Sequence, residues 1–280
     1  NYNVVVGDEA GTALTTGDGN VAVGFEALVT EDAHGNNTAI GYRALKTLNA
    51  GAAGENTAVG YAAGTALTTG LNNTIIGGNA GDALTNADDN VAVGRIALTS
   101  DTLGSKSTAI GRSALQTQNF TTATDSHNTA VGFEAGKAVT TGIQNTLIGG
   151  LAGDALTDAD YNVAVGKVAL TSDTLGSRST ALGYAALFTQ NFTTATNSYN
   201  TAVGYSAGLS VTTGTENTLI GGLAGDALTT GASNTAVGYR SLSASNTAGG
   251  NTAIGGNAML SDTKGARSVA VGYGTLFSQN

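Results

Sequence analysis

The sequence predicts an all-β fold, a parallel β-solenoid of about sixteen rungs, and three observations carry the prediction. A five-residue unit typified by Asn56-Thr57-Ala58-Val59-Gly60 recurs sixteen times, from Asn3–Gly7 to Ser268–Gly272. Twelve of the fifteen intervals between copies are 17 residues, too short for a helical repeat and suited to one coil of a solenoid. Proline is absent, which fits strands whose backbone pairs on both sides.

Each position of the unit has a physical reading. The first is Asn in thirteen copies and Ser in three (Ser107, Ser179, Ser268). Asn tolerates turn conformations and bonds the backbone locally. The second is Thr in eleven copies and Val in five, and the fourth is Val or Ile in all but Leu182. β-Branched residues at alternate positions suit one strand face. They are read here as filling the core. The small first, third and fifth positions then form a thin flank that another backbone layer covers. The fifth is always Gly, which permits a positive φ or a close approach that a Cβ would block.

Two rung types alternate in pairs, Gly-x-x-Ala-Leu as in Gly94–Leu98 and Gly-x-x-Ala-Gly-x-Ala-Leu as in Gly60–Leu67. The stretch Asn56–His127 recurs as Asn128–Tyr199, 72 residues each. Where the third position grows to Ile75, Leu147 or Leu219, the residue after the Gly shrinks to Gly78, Gly150 or Gly222. Elsewhere that residue is often aromatic, as in Phe25, Tyr42, Tyr61 and Tyr205. The exchange is read as volume compensation in a close-packed coil, with Gly256 an exception.

Residues 1–280 are expected to form a single continuous solenoid with no linker. Much of the glycine, 42 residues, is periodic, which argues against disorder, and it is not every third residue, which excludes collagen. There is no cysteine, hence no disulfide or thiolate site. A net charge of −9 disfavours nucleic acid as a partner. No apolar run is long enough to cross a bilayer, so no membrane contact is expected of this segment. Phe277-Ser278-Gln279-Asn280 matches the interior stretch Gln116-Thr117-Gln118-Asn119, so the chain is expected to be part of a longer protein.

The Asn-Thr-Ala-Val-Gly-Tyr-x-Ala pattern resembles the head repeats of trimeric autotransporter adhesins (YadA-like). It is also similar to repeats of phage tail fibres and bacterial surface fibres. The resemblance covers essentially the whole chain, although these rungs are longer than the usual head repeat and alternate in two types. It implies a left-handed parallel β-roll, a homotrimer, and a role in attaching to host surfaces or extracellular matrix. It implies an extracellular location, on an outer-membrane-anchored cell-surface fibre or on a virion. It carries over no binding residue. The composition reaches assembly independently. A 17-residue coil of Ala and Gly buries few apolar groups at roughly 1.5–3 kcal/mol each, against about 1–2 kcal/mol to order each residue. Partner copies would add burial, and sixteen rungs at about 4.8 Å would make a rod on the order of 75 Å.

The expected role is therefore a structural or adhesive fibre segment. The alternatives are a phage tail-fibre shaft and a monomeric ice- or calcium-binding solenoid. No enzyme activity, catalytic residue, cofactor or metal is expected. Gly77-Gly78-Asn79-Ala80-Gly81-Asp82 and its copies at 149–154 and 221–226 depart from the calcium nonapeptide at the fourth and fifth positions. They are read as tight turns with an outward carboxylate. Asp88, Asp89, Asp158 and Asp160 are read as solvated turn residues that could chelate a hard cation only if turns of adjacent chains converged. His34 and His127 lie in loops without a further His or Cys nearby. The aromatic column after the Gly is read as packing at a chain–chain seam, and the second-position Thr as pointing inward. The longer loops at 116–127 and 188–199 contain the sequons Asn119-Phe120-Thr121 and Asn191-Phe192-Thr193 and are the best candidate contact surface.

Overall fold

A computed structural model describes residues 2–244, 247–261, 263 and 265–278. The loop Ser243–Gly250, which has its own wording, includes Ser245 and Asn246 outside the described residues, as are Gln279 and Asn280. The fold is an all-β parallel solenoid of about sixteen turns, with no helix among the described residues. It comprises two compact units, Asn1–Thr141 and Gly142–Asn280.

The first unit contains β1 (Val4–Val6), β2 (Val21–Val23), β3 (Thr38–Ile40), β4 (Thr57–Val59), β5 (Thr74–Ile76), β6 (Val91–Val93), β7 (Gly104–Ser105), β8 (Thr108–Ile110), β9 (Thr124–Asp125) and β10 (Thr129–Val131). Its main ladder runs β1-β2-β3-β4-β5-β6-β8-β10, parallel throughout. A second, two-stranded ladder pairs β7 with β9. The second unit contains β11 (Thr146–Ile148), β12 (Val163–Val165), β13 (Gly176–Ser177), β14 (Thr180–Leu182), β15 (Thr196–Asn197), β16 (Thr201–Val203), β17 (Thr218–Ile220), β18 (Thr235–Val237), β19 (Thr252–Ile254) and β20 (Val269–Val271). It repeats the plan, with β13 paired to β15 beside the main ladder. Every strand of the main ladder is the centre of one pentad, and equal positions stack, as Val91 on Thr108 and Ala92 on Ala109.

The two strand faces are the reverse of the sequence expectation. The third position is the core residue: Ala22, Ala58, Ile75, Ala92, Leu147, Ala181 and Leu219 are all fully buried. The second and fourth positions point out of the coil. Ile40, Ile76, Ile110, Ile148 and Ile220 are each 38% exposed. A narrow coil explains the reversal. A small side chain fits beneath the strand once leucines from the opposite wall fill the interior, and a larger one fits only where a glycine lines that wall. Those leucines come from both rung types. Leu28, Leu45, Leu98, Leu115, Leu170 and Leu187 sit at the fifth residue of Gly-x-x-Ala-Leu in the left-handed conformation. In the other type Gly64, Gly81 or Gly153 takes that conformation, and Leu67, Leu84 or Leu156 reaches the core three residues later.

The volume compensation therefore runs through different residues from those expected. A Cβ on Gly81 would meet Leu84 Cδ1 at 2.9 Å and Ile75 Cδ1 at 3.4 Å, and one on Gly153 would meet Leu147 Cδ2 at 2.7 Å. These interior glycines make room for the larger third-position residues. Gly78, the expected compensator, faces open space. The fifth-position glycines fulfil both parts of their reading. Gly111 has φ 132°, and a Cβ there would lie 2.3 Å from Gly132 O in the next rung.

First-position asparagines are buried inside the coil and form a ladder. Asn56 Oδ1 accepts from Asn73 N at 2.9 Å, Asn73 Oδ1 from Asn90 N at 3.0 Å, and Asn90 Oδ1 from Ser107 N at 2.9 Å. Their amide groups donate across the coil, as Asn73 Nδ2 to Ala87 O at 2.8 Å. Each side chain thus satisfies a buried donor and a buried acceptor that no strand partner reaches.

Candidate functional site

A surface feature that recurs from rung to rung in each unit is the outward strand face. In the first unit it comprises Val21/Val23, Thr38/Ile40, Thr57/Val59, Thr74/Ile76, Val91/Val93, Thr108/Ile110 and Thr129/Val131, all partly or largely exposed. In the second it runs from Thr146/Ile148 to Val269/Val271. An apolar stripe repeated at rung spacing with one hydroxyl column beside it is unusual for a surface.

Aromatic residues flank this face. Tyr61, Phe133, Tyr184, Tyr205 and Tyr239 are all exposed. Phe25 stacks on Tyr42 and Tyr42 on Tyr61, with centroids 5.5 and 5.0 Å apart, and Tyr184 stacks on Tyr205 at 5.4 Å. Arg43 and Arg112 lie over Tyr42 and Phe133, and each is neutralised, by Glu26 and Glu134 respectively.

The long loops protrude less than their length suggests. Phe120 and Phe192 are buried, leaving Thr121–Ala123 and Thr193–Ala195 outermost. Beneath each loop is a buried acid that the sequence reading missed. Asp101 Oδ1 accepts from Gly104 N at 3.0 Å and Phe120 N at 3.1 Å, and its Oδ2 accepts from Gln118 Nε2 at 2.6 Å. Gln118 also donates to Ser107 Oγ, which lies 2.6 Å from Ser126 Oγ, and accepts from Asn128 Nδ2. Asp173, Gln190, Ser179, Ser198 and Asn200 repeat the network in the second unit. Burial pushes the Asp173 carboxyl above the ordinary carboxylate range, against the donors Gln190, Phe192 and Gly176. A signal was available in the sequence. Ser replaces Asn at Ser107 and Ser179, the two rungs followed by a 21-residue interval. There Ser126 and Gln118, or Ser198 and Gln190, accept from the next asparagine in place of the asparagine side chain absent at Ser107 and Ser179.

The other acidic groups brace turns. Asp82 accepts from Thr99 and from Asn79 Nδ2 at 2.9 Å, and Asp154 accepts from Thr171. Asp88 and Asp160 each cap a neighbouring backbone N–H, of Leu71 and Ile143, at 2.8 Å. Asp89 accepts from Asn72 Nδ2 at 3.1 Å. Glu31, Asp32 and His34 bring three ligand-type atoms within 4.8 Å of one another. The carboxylate of Glu31 is buried and accepts from His34 N at 3.1 Å and Ala50 N at 3.2 Å. It performs in the 19-residue rung the loop-bracing that Asp101 performs in the 21-residue rung. His127 is exposed on its loop. An open cavity of about 620 Å³ is lined by Ala232, Ser233, Gly249, Gly250, Ala266 and Arg267.

From Gly19 onward the residue just before each first-position Asn or Ser is in the left-handed conformation, and together these residues form an outward column. Asp89, Lys106 and His127 occupy it in the first unit, and Tyr161, Arg178 and Tyr199 in the second. Lys106 Nζ pairs with Asp125 at 2.5 Å. Hydrogen bonding to that ammonium holds Asp125 below the usual carboxylate range, and the carboxylate in turn raises Lys106. Arg178 instead lies between two rings, its Cζ 4.8 Å from the Tyr161 centroid and 5.9 Å from that of Tyr199.

Among the described residues no helix is long and apolar enough to cross a membrane. No family model, curated protein or solved structure matches this chain.

Proposed function

We propose that this chain is a structural or adhesive segment of an extracellular homotrimeric fibre, which mediates or spaces attachment to a host surface or matrix. A phage tail-fibre shaft is the same reading on a different particle. The observation that carries it is the outward stripe of Val, Ile and Thr. A contiguous apolar face rimmed by aromatics costs free energy in water and gains it when covered. A second copy presents the same stripe at the same rung spacing, so it matches residue for residue along the ladder. Closed cyclic symmetry would bury the face and halt lateral growth. The face that associates in this proposal is the β-branched one, since the alanine flank is inside the coil. The segment acts without catalysis, cofactor, nucleic acid or membrane contact.

Mass in solution tests the assembly. The wild-type chain is expected at three times 27.4 kDa. Ile110→Lys with Ile220→Lys should yield folded monomers, because both side chains already point outward. A wild-type monomer at native mass would overturn the trimer.

One observation favours a second reading. The second-position Thr column faces out, contrary to expectation. Thr38, Thr57 and Thr74 stack in one unit and Thr201, Thr218, Thr235 and Thr252 in the other. A regular hydroxyl and methyl array on an uncovered face is the surface an ice-binding solenoid needs. Thermal hysteresis by a monomer would select this reading, and a trimer without hysteresis would remove it.

A further inference from the structure

We infer that the Tyr161–Arg178–Tyr199 column is a binding site for an acidic saccharide, one carrying a carboxylate on the sugar ring. The inference deepens the attachment reading and rests on it for biological meaning.

Four observations converge on these residues. First, all three side chains are exposed, Tyr161 at 42% and Tyr199 at 53%. The arginine is sandwiched on consecutive rungs, so the guanidinium plane and the two rings are fixed relative to one another. Second, the charge is uncompensated. Arg43 and Arg112 contact aromatic rings too, but each has a carboxylate partner. Arg178 has none among the described residues. Its Nε donates to the neutral Asn197 Oδ1 at 3.1 Å. The equivalent Lys106 faces Asp125. Third, that single polar contact uses Nε and leaves the Nη donors, the edge of the fork that takes an oxyanion in a bidentate manner.

Fourth, the backbone disfavours these residues. Tyr161, Arg178 and Tyr199 have φ of 60°, 63° and 52°. Bulky side chains are uncommon in that region, and Asn or Gly suits it better. Elsewhere the column holds Gly19, Asn36, Asn72 and Gly250, and the polar chains Glu55, Asp89, Lys106, His127, Gln144, Glu216, Ser233 and Arg267. The left-handed backbone turns the column away from the coil, and Tyr161 and Tyr199 present their rings to the outside there.

The chemistry follows from the groups. A guanidinium fork between two rings offers a carboxylate its charge and the adjacent sugar ring an apolar flank. One charge-assisted pair and one stacked ring correspond to a dissociation constant of about 1 mM for a single residue. An array of copies on a fibre would raise the effective strength.

The test uses the full chain at fixed ionic strength, titrated with oligogalacturonate, with the matched neutral galacto-oligosaccharide, and with oligoglutamate. Tyrosine fluorescence and calorimetry read binding. Saturable binding of oligogalacturonate, with the neutral sugar at least tenfold weaker, is expected. R178M should abolish it and R178K should weaken it at least fivefold, since an ammonium keeps the charge and loses the fork. K106M, in the other unit, should leave it unchanged. Equal binding of the neutral sugar, equal or tighter binding of oligoglutamate, or full binding by R178M would each overturn the proposal, as would no saturable binding. Circular dichroism and the urea midpoint establish that R178M remains folded. Mass measured on the same samples separates the two readings. A trimer that does not bind fails this inference alone, and a monomer that binds fails the assembly alone.

Discussion

The rungs from Asn90 to His127 and those from Asn162 to Tyr199 are two copies of one scaffold with different exteriors. Inside they are the same. Asp101 and Asp173 hold identical donors, Ser107 and Ser179 lead identical networks, and Leu98/Leu115 and Leu170/Leu187 fill the same space. Outside, Asp89, Lys106, Asp125 and His127 stand where Tyr161, Arg178, Asn197 and Tyr199 stand. The comparison teaches which positions the coil dictates. A side chain is dictated where a Cβ has no room or where a buried donor needs an acceptor. It is free where it leaves the corner of the coil, and there the two copies carry different chemistry. One corner is a closed ion pair and the other an open cation between rings.

The most severe test of the shared interior is the glycine column. A Cβ on Gly111 or Gly183 would stand 2.3 Å from the carbonyl oxygen of Gly132 or Gly204, at a φ of 132° or 135°. Gly111→Ala and Gly183→Ala should each cost more than about 4 kcal/mol, since a backbone atom cannot yield as a side chain can. Urea unfolding checks this. If one variant is tolerated and the other is not, the two copies are not the same scaffold.

Next in size is the buried acid. D101A or D173A leaves two backbone N–H groups and one of the two glutamine amide N–H groups without an acceptor, at about 3 kcal/mol or more for each variant. Asp173 adds a pH signature. Its folded pKa is raised by burial, so protonation favours the folded state. That stability is complete below the unfolded carboxylate value of about 3.9 and is lost as pH rises through the folded value. The urea midpoint should therefore fall with rising pH across that window, and D173N should flatten the fall. A midpoint rising through the same window in the wild type, with D173N superimposed on it, would refute the assignment.

The repeat, the strand positions, the parallel stacking and the need for glycine were legible because each follows from period and side-chain size. The facing of the strand was not. Alternation of Thr or Val with Ala separates two faces without saying which is inside, and the usual preference for β-branched cores pointed the wrong way. What decided it lies across the coil: leucines such as Leu98 and Leu67 occupy the interior and leave room for alanine, or for Ile75, Leu147 and Leu219 where Gly81, Gly153 and Gly225 line it. The first-position Asn was read as a local turn residue, whereas its partner is one rung away, at Asn90 N for Asn73. The Tyr161–Arg178–Tyr199 column was invisible because its members are 17 and 21 residues apart and acquire meaning only when stacked. Asp82 was read as a turn carboxylate and accepts from Asn79 three residues away, whereas Asp88 was read as a solvated turn residue and accepts from Leu71 N one rung away.

The smallest effect on stability, and the sharpest use of the comparison, is a graft of one corner onto the other. D89Y, K106R, D125N and H127Y convert the first unit's column into the second's without touching a buried side chain. The exchange removes an exposed ion pair. Asp125 lies below its ordinary range because Lys106 donates to it, so the stability it lends is present above the unfolded carboxylate value and is lost as pH falls through the folded one. Exposed pairs of this kind are worth little, so the urea midpoint at pH 7 should move by no more than the error of the measurement. The same graft should change binding in a countable way. If the scaffold fixes the geometry and the corner supplies the chemistry, calorimetry with oligogalacturonate should find two sites per chain in place of one, with matching affinities. A stable graft that still binds one equivalent would mean that the surroundings of Arg178, rather than the column itself, make the site.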